Sequence, residues 1–122
     1  MMSSLFDVTA GSLIGPTTGG TVTQATNKST GVTLNTESGQ ITMNDAALAA
    51  AAEVSFTVTN SKCSATDAPY ALHSSGGTGG AYLINVNTVA AGSFNITVSN
   101  VSGGSLSEAI VITFVGLKGA SS

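Results

Sequence analysis

The sequence predicts an all-β protein: an antiparallel β-sandwich, jelly-roll-like, of about eight strands, with an extended arm at its N-terminus. Three observations predict it. First, one pattern is written twice, in residues 50–60 (Ala50-Ala51-Ala52-Glu53-Val54-Ser55-Phe56-Thr57-Val58-Thr59-Asn60) and in residues 90–100 (Ala90-Ala91-Gly92-Ser93-Phe94-Asn95-Ile96-Thr97-Val98-Ser99-Asn100). Second, other alternating segments of strand length follow at roughly even spacing, punctuated by Gly-rich turns. Third, only residues 44–52 have any helical leaning.

Each copy of the repeat is a small-residue turn followed by strict alternation. Val54, Phe56 and Val58, and likewise Phe94, Ile96 and Val98, fall on one face because strand side chains alternate with period two. Ser55, Thr57 and Thr59, with Asn95, Thr97 and Ser99, take the other face. An apolar stripe opposed by a hydroxyl and amide stripe describes a half-buried antiparallel strand.

Residues 1–20 read as an arm and hinge, and residues 21–122 as the sandwich. Leu5, Phe6, Val8, Leu13 and Ile14 follow neither helical nor alternating order, and Gly15-Pro16-Thr17-Thr18-Gly19-Gly20 breaks regular structure. These five apolar residues are therefore the candidate contacts to another surface, such as a neighbouring subunit. Residues 21–26 alternate weakly and form the first strand. Residues 32–35 and 40–43 read as a hairpin around Thr36-Glu37-Ser38-Gly39, with Val32 and Leu34 facing Ile41 and Met43.

Residues 44–52 open with Asn44-Asp45, which can cap a helix, but the run is too short to stand alone. It predicts at most a helical turn, with Leu48 plugged into the core. Residues 61–66 form a polar connection. Residues 68–74 alternate through Tyr70 and Leu72, with Pro69 pushing that strand toward an edge. The loop Ser74-Ser75-Gly76-Gly77-Thr78-Gly79-Gly80 reads as a flexible turn, and Tyr82, Ile84 and Val86 alternate beyond it. Residues 109–115 are apolar on both faces, which suits the centre of a sheet or an oligomer interface.

The chain has 122 residues, enough for one domain, and only 7% of them are charged, against roughly a quarter in ordinary domains. Mean hydropathy is positive. So little charge protects poorly against self-association, which favours assembly with copies or partners. The net charge of −3, with no Arg and scattered Lys28, Lys62 and Lys118, argues against nucleic-acid binding, which needs clustered cations. No membrane-spanning segment and no secretory signal pattern are present, so the expectation is synthesis in a cytosol without export by a recognisable signal.

Catalytic equipment is sparse. His73 is the sole histidine and Cys63 the sole cysteine, so neither a histidine metal site nor an intrachain disulfide can form. His73, Asp67 and a serine could be assembled into a triad on paper, but no nucleophile elbow supports it. The six acids are dispersed, without calcium-loop spacing. Residues 74–80 lack the Gly-Lys-Ser/Thr of a phosphate loop. The expectation is a non-enzyme without metal or cofactor.

Residues 20–35, with Ser38-Gly39-Gln40-Ile41-Thr42-Met43-Asn44, Ala46-Ala47-Leu48-Ala49-Ala50, Val54-Ser55-Phe56-Thr57, Ala90-Ala91-Gly92-Ser93-Phe94 and Ser102-Gly103-Gly104-Ser105-Leu106-Ser107-Glu108-Ala109, resemble small β-proteins of tailed bacteriophages and prophages. In size and class the chain is similar to capsid decoration, or cement, proteins. The resemblance implies a homotrimer made in a host bacterial cytoplasm and placed on the capsid surface, bound to the major capsid protein and tying capsomer joints, with no catalytic motif; on that reading Leu5, Phe6, Val8, Leu13 and Ile14 are capsid or subunit contacts. A tail-fibre or tailspike module that binds a host receptor is the alternative. Residues 1–19 lie outside the resemblance.

Overall fold

A computed structural model describes residues 19–117. The arm residues Leu5, Phe6, Val8, Leu13 and Ile14 lie outside the described residues. The chain forms eight strands: β1 (Thr21–Thr23), β2 (Val32–Thr33), β3 (Ser38–Thr42), β4 (Glu53–Thr59), β5 (Tyr70–Ser75), β6 (Tyr82–Ala90), β7 (Ser93–Asn100) and β8 (Val111–Val115). They make two four-stranded sheets, sheet A in the order β1-β3-β8-β5 and sheet B in the order β2-β4-β7-β6. The described residues contain no helix.

The two copies of the repeat are sheet neighbours. β4 and β7 pair antiparallel, with Val54 opposite Val98, Phe56 opposite Ile96 and Val58 opposite Phe94. The apolar stripe of each copy thus reinforces the other on the inner face, where Phe56, Val58, Phe94, Ile96 and Val98 are buried. Phe94 of β7 meets Phe114 of β8 edge-on at 5.6 Å, joining the two sheets across the core. Ile41, Met43, Ile110 and Ile112 complete the sheet A side of the core.

The pairing corrects the purely antiparallel expectation. β1 runs parallel to β3, and β2 runs parallel to β4. The cause is that the first six strands alternate between the sheets. A chain that crosses the core and reverses at each connection returns to its first sheet pointing the original way. Jelly rolls are antiparallel architectures, so these parallel pairs lend the jelly-roll part of the expectation no support.

The hairpin over residues 32–43 is corrected for the same reason: β2 and β3 belong to different sheets. Val32, Ile41 and Met43 do share the core, with Leu34 packed against it. Gly39 is no turn glycine but an inward strand position. A Cβ there would lie 2.6 Å from Leu34 Cδ2 and 3.1 Å from Phe114 Cε2, so only glycine admits these two side chains.

No helical turn forms in residues 44–52. The Asn44 side chain accepts the Ala46 N–H at 2.9 Å, but Leu48 then exchanges two backbone hydrogen bonds with Leu106, at 2.8 and 3.0 Å. Pairing with a distant segment outcompetes a helix of so few residues. Leu48 is buried, as expected of a plug.

β5 follows its proline onto a sheet edge, but its alternation runs in the opposite phase to its large residues. Ala71 is buried, whereas Tyr70 is 57% and Leu72 41% exposed. β8 sits between β3 and β5, the central place that its two-sided apolar sequence suits.

Candidate functional site

β5 ends sheet A and β6 ends sheet B, and the two strands pack beside each other on one flank. Between them lies an open groove of about 470 Å³, walled by Tyr70, Leu72, His73, Tyr82, Leu83 and Ile84 and closed at one end by the glycine loop. Three of the five large apolar side chains left exposed among the described residues, Tyr70, Leu72 and Leu83, line this groove. A sheet edge also offers unpaired backbone groups to a partner.

The glycine loop is tied down. Thr78 donates to Glu108 from its backbone N–H at 2.9 Å and from its hydroxyl at 2.8 Å, and the Tyr82 hydroxyl donates to the same carboxylate at 2.8 Å. Gly76 and Gly77 adopt φ of 74° and 70°, a conformation glycine reaches without strain. His73 Nε2 lies 2.6 Å from the Gly76 carbonyl oxygen and donates to it, while the ring stands edge-on to Tyr82 at 5.5 Å.

These contacts set the electrostatics. Hydrogen bonds from Thr78 and Tyr82 hold the Glu108 carboxyl below the usual carboxylate range. Burial, then the hydrogen bond to Glu108 and its charge, push the Tyr82 phenol up to about 12. Glu108 is thus an acceptor for three donors and His73 is committed to a carbonyl. As arranged, the cluster organises a loop.

A second polar knot lies nearby, and sequence reasoning missed it. The Lys28 ammonium donates to the carbonyls of Asn44 and Glu108, the latter at 2.7 Å. Burial lowers the Lys28 pKa, and Asp45 and Glu108 partly offset that. Gln24 donates to the carbonyls of Lys28 and Thr30 and accepts the Asn44 N–H at 3.0 Å. One lysine on each of three separate stretches read as scattered surface charge. The only available signal was that Lys28 sits inside the run carrying the family resemblance.

The paper triad gains no geometry. Asp67 accepts the Ser64 N–H at 2.9 Å and the Ser64 hydroxyl at 2.8 Å, closing the turn over residues 64–67, while His73 binds Gly76. Among the described residues no group of three or more His, Cys, Asp or Glu is placed to hold a metal ion, and no helix is long and apolar enough to cross a membrane. Cys63 packs half-buried with its thiol toward the carbonyls of Ser64 and Ser93.

What fold and site define together is an all-β sandwich with one open, apolar flank. No protein-family model matches the chain, and neither a curated protein nor a solved structure matches it.

Proposed function

We propose that this chain is a non-enzymatic structural protein of tailed-bacteriophage particles, a capsid decoration protein that binds the capsid surface as a homotrimer and stabilises capsomer joints. The observation that carries the reading is the β5/β6 flank. Two sheet edges, the groove between them and exposed Tyr70, Leu72 and Leu83 coincide on a chain of which only 7% is charged. Contiguous apolar surface of this kind marks an interaction site. A cement protein works by burying such surface across joints, adding a binding free energy that disassembly must overcome.

The site chemistry is compatible with that role. Glu108, His73, Lys28 and Gln24 are all engaged in holding loops, so they serve the shape of the flank. The partners on this reading are further copies of the chain and the major capsid protein, and the location is the outer surface of the virion.

Immunogold labelling of intact particles from the source culture, with antibodies raised against the purified chain, tests the reading. Gold distributed over the heads is the expected result. Gold confined to tails would replace it with the receptor-binding fibre module, and unlabelled particles would overturn both.

A further inference from the structure

The chain turns the same corner twice. At the end of β4, Asn60 accepts the Lys62 N–H at 2.9 Å and donates to the Thr36 carbonyl; at the end of β7, Asn100 accepts the Ser102 N–H at 2.9 Å and donates to the Leu48 carbonyl. From each asparagine the chain crosses to sheet A, where the first copy of the repeat leads into β5 and the second into β8. The two strands hold equivalent places in the fold, and they pair antiparallel. Their other edges differ. β3 lies antiparallel along the far edge of β8, whereas no strand of the described residues pairs with the far edge of β5.

The orientation of that edge follows from one bond. The Ala68 N–H donates to the Leu117 carbonyl at 2.7 Å, in register with Tyr70 opposite Val115 and Leu72 opposite Thr113. Residues of an antiparallel pair alternate between bonding the neighbour and turning away from it, so Tyr70 and Leu72 bond β8 while the backbone groups of Ala71 and His73 point to the open edge. Pro69, with no N–H to offer, points the same way, and the irregularity after His73 ends the row. Behind this short edge the core is thin. β8 buries Ile112 and Phe114, but β5 buries only the small Ala71, and Ile84 and Val86 of β6 stay half-buried. A depression of about 250 Å³ lies there, walled by Pro69, Ala71, Ile84 and Val86 and lined by no charged side chain.

We infer that β5 receives an antiparallel strand from another protein, an uncharged extended segment whose apolar residues face inward and set one large side chain over Ala71 against Ile84 and Val86. The added strand stands to β5 as β3 stands to β8. In strand addition the main-chain bonds supply affinity and the pockets for alternate side chains supply selectivity. A second copy of the chain does not suit the place: β5 paired with itself sets only Ala71 or His73 opposite Ala71, and β1 and β2 are three and two residues long. Tyr70 and Leu72 stay on the outer face, which the added strand widens and leaves open to contact. Only the source of the segment rests on the capsid reading, which assigns it to the major capsid protein.

The probe that tests it is a short synthetic peptide of alternating valine and threonine with a lysine at each end, labelled with a fluorophore and titrated into the purified full-length chain. Residues opposite Ala71 and His73 turn their side chains inward and their N–H groups toward β5. Methylating the valine amides should therefore weaken binding about tenfold or more, while methylating the threonine amides should leave it within about twofold. Ala71→Leu, which fills the depression, should weaken binding of the unmethylated peptide about tenfold at unchanged far-UV circular dichroism. No binding at millimolar peptide, equal effects of the two methylations, or indifference to a folded Ala71→Leu chain would each overturn the inference; should that variant unfold, the methylated peptides decide alone. Binding that vanishes as the chain concentration rises would make a second copy the occupant and overturn it too. No phage particle enters the experiment, so its failure leaves the capsid reading standing, and gold on the tails would leave the strand addition standing with another donor.

Discussion

On the outer face of sheet B, Ser55 and Thr97 hydroxyls meet at 2.7 Å, Thr57 donates to Asn95 at 2.9 Å and Asn87 donates to Thr97 at 3.0 Å. On the outer face of sheet A, Val115 stands between Ser38 and Tyr70, and Val111 between Thr42 and Ser75. The pleat is the same and the chemistry differs in proportion: on sheet A Thr113 bonds to Ser74 at 2.7 Å, but Tyr70, Leu72, Val111 and Val115 share that face. A hydroxyl and amide face bonds to itself and to water, so on sheet B it is chiefly Leu83, on the edge strand β6, that is left to be covered. A face carrying Val, Tyr and Leu gains from being covered, at about 25 cal/mol for each Å² of apolar surface removed from water. The β5/β6 flank, where Tyr70 and Leu72 of sheet A lie beside Leu83 of sheet B, is therefore the side on which the proposed assembly would bury most.

Both sheets share one core, and breaking that core has the largest expected effect. Phe94→Ala removes the ring that meets Phe114 across the sheets, and Phe56→Ala opens the same layer; each should cost about 3–5 kcal/mol in denaturant unfolding. Next comes Lys28. Lys28→Met leaves the carbonyls of Asn44 and Glu108 without their donor, which should cost about 1–3 kcal/mol by the same measurement. Gly39→Ala belongs in the same range, about 1–3 kcal/mol, because the new methyl meets Leu34, Phe114 and the Gly20 carbonyl.

Smaller still are the changes on the outer faces. Thr57→Ala and Thr97→Ala delete exposed hydroxyl contacts and should each cost less than about 1 kcal/mol. Were they more damaging than the phenylalanine changes, the inner and outer faces of β4 and β7 would be reversed.

The pH dependence sharpens the account of the flank. Glu108 has a lowered pKa in the folded chain, so its contribution is present above the ordinary carboxylate pKa and lost as pH falls through the folded value. Tyr82 has a raised one, so its contribution is present below pH 10 and lost as pH rises toward about 12. Stability followed by urea unfolding should thus decline at both limits. Glu108→Gln should flatten the acid limb and Tyr82→Phe the alkaline limb.

Much of the fold was legible because alternation is a strong signal wherever one face of a strand is buried. β4 and β7 were readable residue by residue, and β8 declared its central place by being apolar on both sides. Strand pairing was not legible: a short alternating segment carries no mark of which sheet it joins, so β2 and β3 looked like a hairpin although a core separates them. Tyr70 and Leu72 show a related limit. They have the right period for β5, but the small Ala71 faces inward, and period alone does not say which face is buried. The candidate flank was hidden because β5 and β6, though consecutive in sequence, end different sheets, which alternation does not mark, and the loop-holding roles of Glu108 and Lys28 because their partners are distant in sequence and brought close by folding.

The proposal that this charge-poor sandwich works as an assembly is tested most directly by sedimentation equilibrium of the full-length chain at micromolar concentration. The account predicts a single species of three times the 11.9 kDa chain mass. A species that stays at one chain mass across that concentration range would contradict it.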